Sequence, residues 1–406
     1  MAHIGLMLRS LTGGGAERSV LVLAEGLVTR GHKVDLVFVT PPDRFHPRRI
    51  PDRVRVFLPR GKLRGGRGDN GFEIPDSTVW LDGRFSLLRF ARVVLGTLRY
   101  RERIFLARIR TILRTFPVID YVERERPDIV LPNSPSTEFP CYLSARIVDE
   151  FPALISVIHS KVKAKNARRR RSLPPAVRRM VIVSRGIADS LSANGKGPAL
   201  EKVVPIYNPV PLGEIAEAAK AKPDHVWFAD GGPPVILGVG RLVKQKDFPT
   251  LIEAFRRVRS ERPCRLIVLG EGPLRAELEA LVRDLGLEDC ISLPGWVANP
   301  YAFMARSRLF VLSSRFEGFG LVLAEALACG CPAVSTDCPS GPAEILEDPD
   351  LLAPVGDVGA LAGVMLRALD RPVDRDALRA NAARFSADRA VDAYEALIPE
   401  VLADRG

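Results

Sequence analysis

Short apolar runs rich in β-branched residues alternate with stretches of helical period along the whole chain. Such a rhythm predicts parallel sheets covered by helices on both faces. The first series of expected strands is His3–Leu8, Lys33–Val39, Asp128–Leu131, Ala153–His159, Met180–Ser184 and Lys202–Ile206. A second series follows at Pro234–Gly240, Cys264–Gly270, Ile291–Leu293, Leu309–Ser313 and Pro332–Ser335. Helical periods fall at Ala16–Thr29, Thr250–Ser260, Leu274–Leu285 and Leu321–Ala328. Between the two series lies Asn208-Pro209-Val210-Pro211, whose prolines remove backbone donors and disfavour a continuing helix or strand. The pattern predicts an α/β protein of two Rossmann-like, doubly wound domains, residues 1–211 and 212–385, with 386–406 as a C-terminal helix packing back toward the first. Ligands of such sheets bind at the carboxyl ends of the strands, so two domains facing one another define an interdomain cleft.

One region departs from the alternation. Residues 61–71 are rich in Gly and Arg and read as a loop, whereas Ser86–Phe116 is helical in period. Leu87, Ala91, Val94, Leu98, Phe105, Ile109, Ile112 and Phe116 fall on one face, with Arg89, Arg92, Arg99, Arg103, Arg110 and Arg114 opposite. Two readings stand: an amphipathic helix packed on the first sheet, or a basic helix lying on an anionic bilayer. A second basic run, Lys161 to Arg179, belongs to the same half; a substrate-gating loop is the local alternative there.

Composition sharpens this picture. The chain has 406 residues, 47% of them hydrophobic, which excludes wholesale disorder. No stretch approaches the roughly 18–20 uncharged apolar residues of a spanning helix, and Ile4–Leu8 is too short for a signal-peptide core. Charge is unevenly placed: up to Pro211 there are 37 basic and 19 acidic residues, and from Leu212 onward 22 and 29. One half therefore suits an anionic surface and the other does not. Stacking aromatics are missing between the arginines and no nucleic-acid module is recognisable, which argues against nucleic acid as the partner. Six cysteines, with only Cys329 and Cys331 close together, read as buried reduced thiols of a cytoplasmic protein.

Candidate chemistry sits where strands run into helices. Thr12-Gly13-Gly14-Gly15-Ala16-Glu17 lets backbone amides approach an anion at a helix N-terminus, a structural tight turn being the alternative. Gly240-Arg241 through Lys246 places Arg241 and Lys246 at a strand's carboxyl end, where they can neutralise phosphates without a metal. Ser313-Ser314-Arg315-Phe316-Glu317-Gly318-Phe319-Gly320 then opens the helix Leu321–Ala328. Gly318 and Gly320 expose its unpaired N–H groups to a diphosphate or to sugar oxygens. Glu325 stands among apolar residues of a helix that reads as buried, where an unpaired carboxylate is costly, so a ligand is its expected partner.

Glu317 and Glu325 form Glu-x7-Glu, and with Gly240-Arg241 and Lys246 before them the chain resembles the retaining, nucleotide-sugar-dependent glycosyltransferases of family 4, whose fold is GT-B. Supporting segments come in the family's order: Gly13–Glu17, His159, Val183-Ser184-Arg185-Gly186, Ile206-Tyr207-Asn208-Pro209, Gly270-Glu271-Gly272-Pro273, Gly295-Trp296 and Cys338 to Ile345. Residues about 44–116 match nothing in the family, so acceptor recognition is not carried over. The resemblance implies that Arg241 and Lys246 hold the donor diphosphate, that Glu325 binds the ribose, and that Glu317 with the amides of Gly318, Phe319 and Gly320 holds the sugar. It places His159 near the sugar's reactive side (a core histidine being the alternative) and Gly14 and Gly15 near the diphosphate or acceptor. Ser184 and Asn208 are further expected cleft positions. The implied reaction is retaining and metal-independent, with no cofactor and no residue assigned to a metal. Its co-substrate is a nucleotide-diphosphate sugar, a UDP-hexose or UDP-N-acetylhexosamine ahead of GDP-mannose. Its acceptor is a lipid-linked or glycan saccharide met on the inner face of the cell membrane. An epimerase on the same architecture and a non-catalytic anionic-lipid-binding protein are the rival classes.

Overall fold

A computed structural model describes residues 1–11, 14–40, 50–59, 78–81, 105–160, 173–192, 200–229 and 231–403, with only the backbone of 105–112, 192 and 200. The chain forms two units. One comprises Met1–Val183, Ala188–Pro209 and Ala387–Gly406, the other Ser184–Ile187 and Val210–Ser386.

The first unit is built on eight strands: β1 (His3–Leu8), β2 (Lys33–Phe38), β3 (Arg55–Pro59), β4 (Val79–Leu81), β5 (Ile129–Pro132), β6 (Ala153–Ile158), β7 (Val177–Ile182) and β8 (Val203–Pro205). Their order is β4-β3-β2-β1-β5-β6-β7-β8, all parallel. Leu6 of β1 stands opposite Leu36 on one side and Leu131 on the other. Both faces of this central strand are covered, which is why Ile4 to Leu8 reads as an unbroken apolar run. β3 and β4 were not evident in the periodicity. β3 is a five-residue strand bounded by Arg55 and Pro59, and β4 has three residues.

The predicted amphipathic run Ser86–Phe116 lies outside the described residues as far as 104, as do residues 161–172 of the second basic run. From Phe105 the backbone is helical and continues through Pro117 to Glu125. Phe116, the last member of the expected apolar stripe, is buried with Ile119 against Leu143, Ile147 and Val148, so this end of the stripe packs internally.

A polar cluster is buried on the amino-terminal side of the same sheet. The Asp35 carboxylate is fully buried and accepts hydrogen bonds from His3 Nε2 at 2.6 Å, Arg55 Nε at 2.8 Å and Tyr121 Oη at 2.9 Å. Arg55 also reaches Glu125 at 2.8 Å. Burial alone pushes the Asp35 carboxyl upward, but the hydrogen bonds and the Arg55 charge outweigh it and hold the group below its ordinary value.

The C-terminal helix Ala387–Ala403 belongs to this first unit, with Ala390, Val391, Tyr394, Leu397, Ile398 and Val401 buried along one face. It lies against the helix Gly15–Thr29, where any Cβ at Gly26 would stand 2.3 Å from Val391 Cγ2. Arg30 Nη2 pairs with Asp392 at 2.6 Å beside that contact.

The second unit carries β9 (Val235–Val239), β10 (Arg265–Leu269), β11 (Ile291–Gly295), β12 (Leu309–Leu312), β13 (Ala333–Thr336) and β14 (Leu352–Ala353). Their order, β11-β10-β9-β12-β13-β14, is that of the doubly wound Rossmann sheet. The helices Phe248–Glu261 and Val358–Asp370 close one core, with Leu251, Phe255, Val258, Leu361 and Met365 meeting Ile236, Leu266 and Val268. All six cysteines are buried as free thiols, and burial pushes Cys264 up to about 11. Among the described residues no helix is long and apolar enough to cross a membrane.

Candidate active site

In the second sheet the chain order reverses between β9 and β12, and the crevice beyond their carboxyl ends is where an open α/β sheet takes its ligand. The two loops that leave these strands are tied together. Arg315 N donates to Gln245 O at 2.8 Å, Gln245 Nε2 to Phe316 O at 2.9 Å and Ser313 Oγ to Lys246 O at 2.8 Å. A buried Asp247 accepts from Arg315 Nε at 3.0 Å and completes the seam. This backbone register brings residues 71 positions apart into contact. Lys246 Nζ lies 2.6 Å from Glu317 Oε1, both side chains largely buried.

Lys246 and Glu317, assigned in the sequence to different parts of one ligand, thus pair with each other. Ser314 Oγ donates to the same Oε1 at 2.6 Å, while among the described residues no hydrogen bond reaches Oε2. Arg241 differs: it is exposed beyond the end of β9 and has no side-chain partner among the described residues. A planar, permanently charged guanidinium in that position is available to an incoming phosphate.

The helix Leu321–Ala328 begins at Gly320, whose φ of 92° suits glycine. Its N-terminus is braced from β13. Thr336 Oγ1 donates to Ser314 O at 2.6 Å and Ser340 Oγ to Glu317 O at 2.9 Å. Gly341, with φ 96°, packs so closely that a Cβ there would lie 1.9 Å from Phe319 O. Phe319 itself is buried edge-on against Phe385, their centroids 5.1 Å apart, so its ring is not what the loop offers a ligand. Glu325 is 3% exposed and accepts from Tyr301 Oη at 3.3 Å. Ser184 belongs to this unit and donates to Gly318 O at 2.5 Å.

The first unit has its own reversal, between β1 and β5. Gly14 precedes the helix Gly15–Thr29, and Glu17 folds back to accept from Gly14 N at 3.1 Å and Ser10 Oγ at 2.8 Å. The φ of Gly14 is −68° and a Cβ there would meet nothing closer than 3.8 Å. Among the described residues neither backbone nor packing demands glycine at that position. Gly13 lies outside the described residues. His159 follows β6, its Nε2 3.4 Å from Asn133 Oδ1. Desolvation lowers its pKa to about 4, with the neighbouring Asn208 amide opposing, so the ring is neutral at pH 7.

Ser314, Tyr301 and Asn133 were not singled out in the sequence. Ser314 stands within the Ser313–Gly320 segment, but a serine ending a strand carries no signal of its partner. Tyr301 reads as an ordinary aromatic of the short helix Pro300–Arg306. Two Asp-x-Asp triplets, a spacing able to hold a divalent cation, are otherwise engaged. Asp348 accepts from Asp350 N at 2.9 Å and pairs with Arg371, while Asp374 caps the helix Arg375–Ala382.

Two family models together match most of the chain. One, described as Glycosyltransferase Family 4, matches residues 13–214, and the other, Glycosyl transferases group 1, matches residues 221–385. The chain is 41% identical over 143 residues to N-acetylgalactosamine-N,N'-diacetylbacillosaminyl-diphospho-undecaprenol 4-alpha-N-acetylgalactosaminyltransferase of Campylobacter jejuni, covering 35% of this chain and 37% of that protein. It is 34% identical over 203 residues to the lipopolysaccharide core biosynthesis glycosyltransferase LpsD of Rhizobium meliloti, covering 47% and 58%. The matches thus span about a third to three-fifths of these relatives' lengths. Among solved structures, a glycosyltransferase from Rickettsia africae superposes with a TM-score of 0.70 at 16% identity, covering 99% of this chain and 98% of that one. HepE from Anabaena, in complex with UDP and glucose, superposes with a TM-score of 0.71 at 18% identity, covering 98% and 100%. The fold is GT-B.

Proposed function

The chain belongs to glycosyltransferase family 4, and we propose that it moves a hexose or N-acetylhexosamine from a UDP-sugar to a lipid-linked saccharide in envelope glycan biosynthesis. The observation that carries this reading is the Lys246–Glu317 pair at the reversal point of the second sheet, with Arg241 exposed beyond the end of β9 and Glu325 buried in the helix that follows β12. Arg241 and Lys246 take the diphosphate, Glu325 the ribose hydroxyls, and Glu317 with the Gly318–Gly320 amides the sugar. The bond that breaks joins the anomeric carbon to the diphosphate, through an oxocarbenium-like state. Catalysis rests on stabilising the charge that develops on the departing diphosphate, which two cations and a helix N-terminus supply. Neutral His159 offers a polar contact without adding charge, and Gly14, Gly15 and Asn208 are the first unit's further proposed ligand positions. The transfer proceeds with retention. A relative named for a diphospho-undecaprenol-linked saccharide and a structural neighbour holding UDP and glucose support the choice of acceptor and donor.

A screen of nucleotide sugars by thermal shift, followed by product analysis with lipid-linked acceptors, tests the reading. Stabilisation by no nucleotide sugar would remove it, and epimer formation without acceptor would replace it. Treatment with EDTA is expected to leave turnover unchanged, because fixed cations supply the positive potential. A complete, metal-reversible loss would contradict that.

The basic first half is proposed to meet an anionic membrane, where such an acceptor resides. Each Lys or Arg near the surface contributes about 1 kcal/mol, screened within about 8–10 Å at physiological salt. Wild type is expected to sediment with anionic liposomes at low salt. Replacing Arg89, Arg92, Arg99 and Arg103 by Gln should release it while sparing donor binding. Failure of the wild type to sediment would favour a soluble glycan acceptor.

A further inference from the structure

The Lys246–Glu317 pair sets a condition on the ligand that neither residue sets alone. Building on the assignment of Lys246 to the diphosphate and Glu317 to the sugar, we propose that Lys246 exchanges between Glu317 and the donor diphosphate. The site then grips an intact sugar nucleotide and loosens on the nucleoside diphosphate left after transfer.

Three observations lead there. First, Glu317 Oε1 already holds two donors, Lys246 Nζ and Ser314 Oγ, each at 2.6 Å, while Oε2 holds none among the described residues. A buried carboxylate that loses its cation without replacement is strongly disfavoured. Sugar hydroxyls donating to Oε2 are such a replacement, and a bare diphosphate is not. Second, the ammonium sits on a flexible stem with three donors. That stem lies along the end of β9, its Cε, Cδ and Cγ atoms 3.2–3.3 Å from where a Cβ on Gly240 would be. Rotation about its outer bonds carries the charge toward the strand end that Arg241 follows. Third, Arg241 has no side-chain partner among the described residues, so it can capture a diphosphate whether or not a sugar is attached. Once the sugar departs, Glu317 regains Lys246 and the diphosphate keeps Arg241 alone. Ser314 is the positioning residue: fixed through its carbonyl by Thr336, it holds Oε1 in place while Lys246 is away.

Calorimetry on the full chain tests the exchange, with UDP and with whichever of UDP-glucose, UDP-N-acetylglucosamine and UDP-N-acetylgalactosamine binds the wild type. Glu317→Gln frees Lys246 and should tighten UDP about tenfold, the worth of a charge-assisted contact, while weakening the sugar nucleotide. Lys246→Ala should weaken the sugar nucleotide about tenfold or more and UDP by less than about threefold. Ser314→Ala should weaken the sugar nucleotide while leaving UDP within about twofold. A structural role for Glu317 would weaken both ligands together. UDP binding that is unchanged or weaker in Glu317→Gln, or a Lys246→Ala loss equal for both ligands, overturns the exchange and leaves the functional reading standing. Wild type that binds none of these ligands overturns both.

Discussion

Lys246→Ala is expected to lower kcat about a hundredfold to a thousandfold, the scale seen when one preorganised charge-stabilising donor is removed. The side chain is only 17% exposed, so its ammonium acts where solvent screens little. The change also leaves Glu317 with Ser314 as the one remaining side-chain donor among the described residues, and the buried carboxylate then opposes the charge on the departing diphosphate. Arg241→Ala is expected to cost less, because Arg241 is exposed and water takes over part of its work. Removing both should not give the product of the single effects, since they serve the same oxygens. Steady-state kinetics with saturating acceptor, alongside thermal unfolding to establish that the variants are folded, reads the result. A Lys246→Ala enzyme within a few-fold of wild type would remove the residue from the chemistry.

Asp35→Ala is expected to destabilise the first unit by about 3–5 kcal/mol, the cost of breaking a buried pair and leaving the other charge behind. Three residues donate to Asp35 within 2.9 Å, and Glu125 would be the one carboxylate left to Arg55 among the described residues. The effect depends on pH in a definite direction. The folded pKa is depressed, so the stabilisation is full above the ordinary carboxylate value of about 3.9 and is lost as pH falls through the lower folded value. Urea unfolding should show a large gap between wild type and variant at pH 7 that closes below about pH 4. A gap under about 1 kcal/mol at neutral pH would mean that the cluster is no better than an apolar replacement.

The two-sheet architecture was legible because buried parallel strands must be apolar on both faces and their crossover helices on one. The helix Leu321–Ala328 lies where its pattern places it, and β1 and β12 are offset by no more than a residue from the apolar runs that announce them. β3, β4 and β14 escaped, since five, three and two residues are too few for a period to emerge. Pro59 at the end of β3 also imitates a loop. The residue types of the candidate site were equally legible. Carboxylates and cations beside glycines at strand–helix junctions are costly unless a ligand or a partner balances them.

Which partner balances them was settled elsewhere. Lys246 meets Glu317 because β9 and β12 are neighbours, and that adjacency follows from the order of the whole sheet rather than from either segment. Tyr301 became visible only there, as a donor to Glu325, and Ser314, three residues before Glu317, as a local donor to it. Gly14 is the converse case: among the described residues neither its conformation nor its packing requires a glycine, which the sequence could not distinguish from a tight turn. Local pattern records how each residue meets solvent, and that alone determined the elements and the kinds of chemistry they carry. Pairing between charges is a long-range property, decided by the packing energy summed over the sheet, and so it belonged to the tertiary structure.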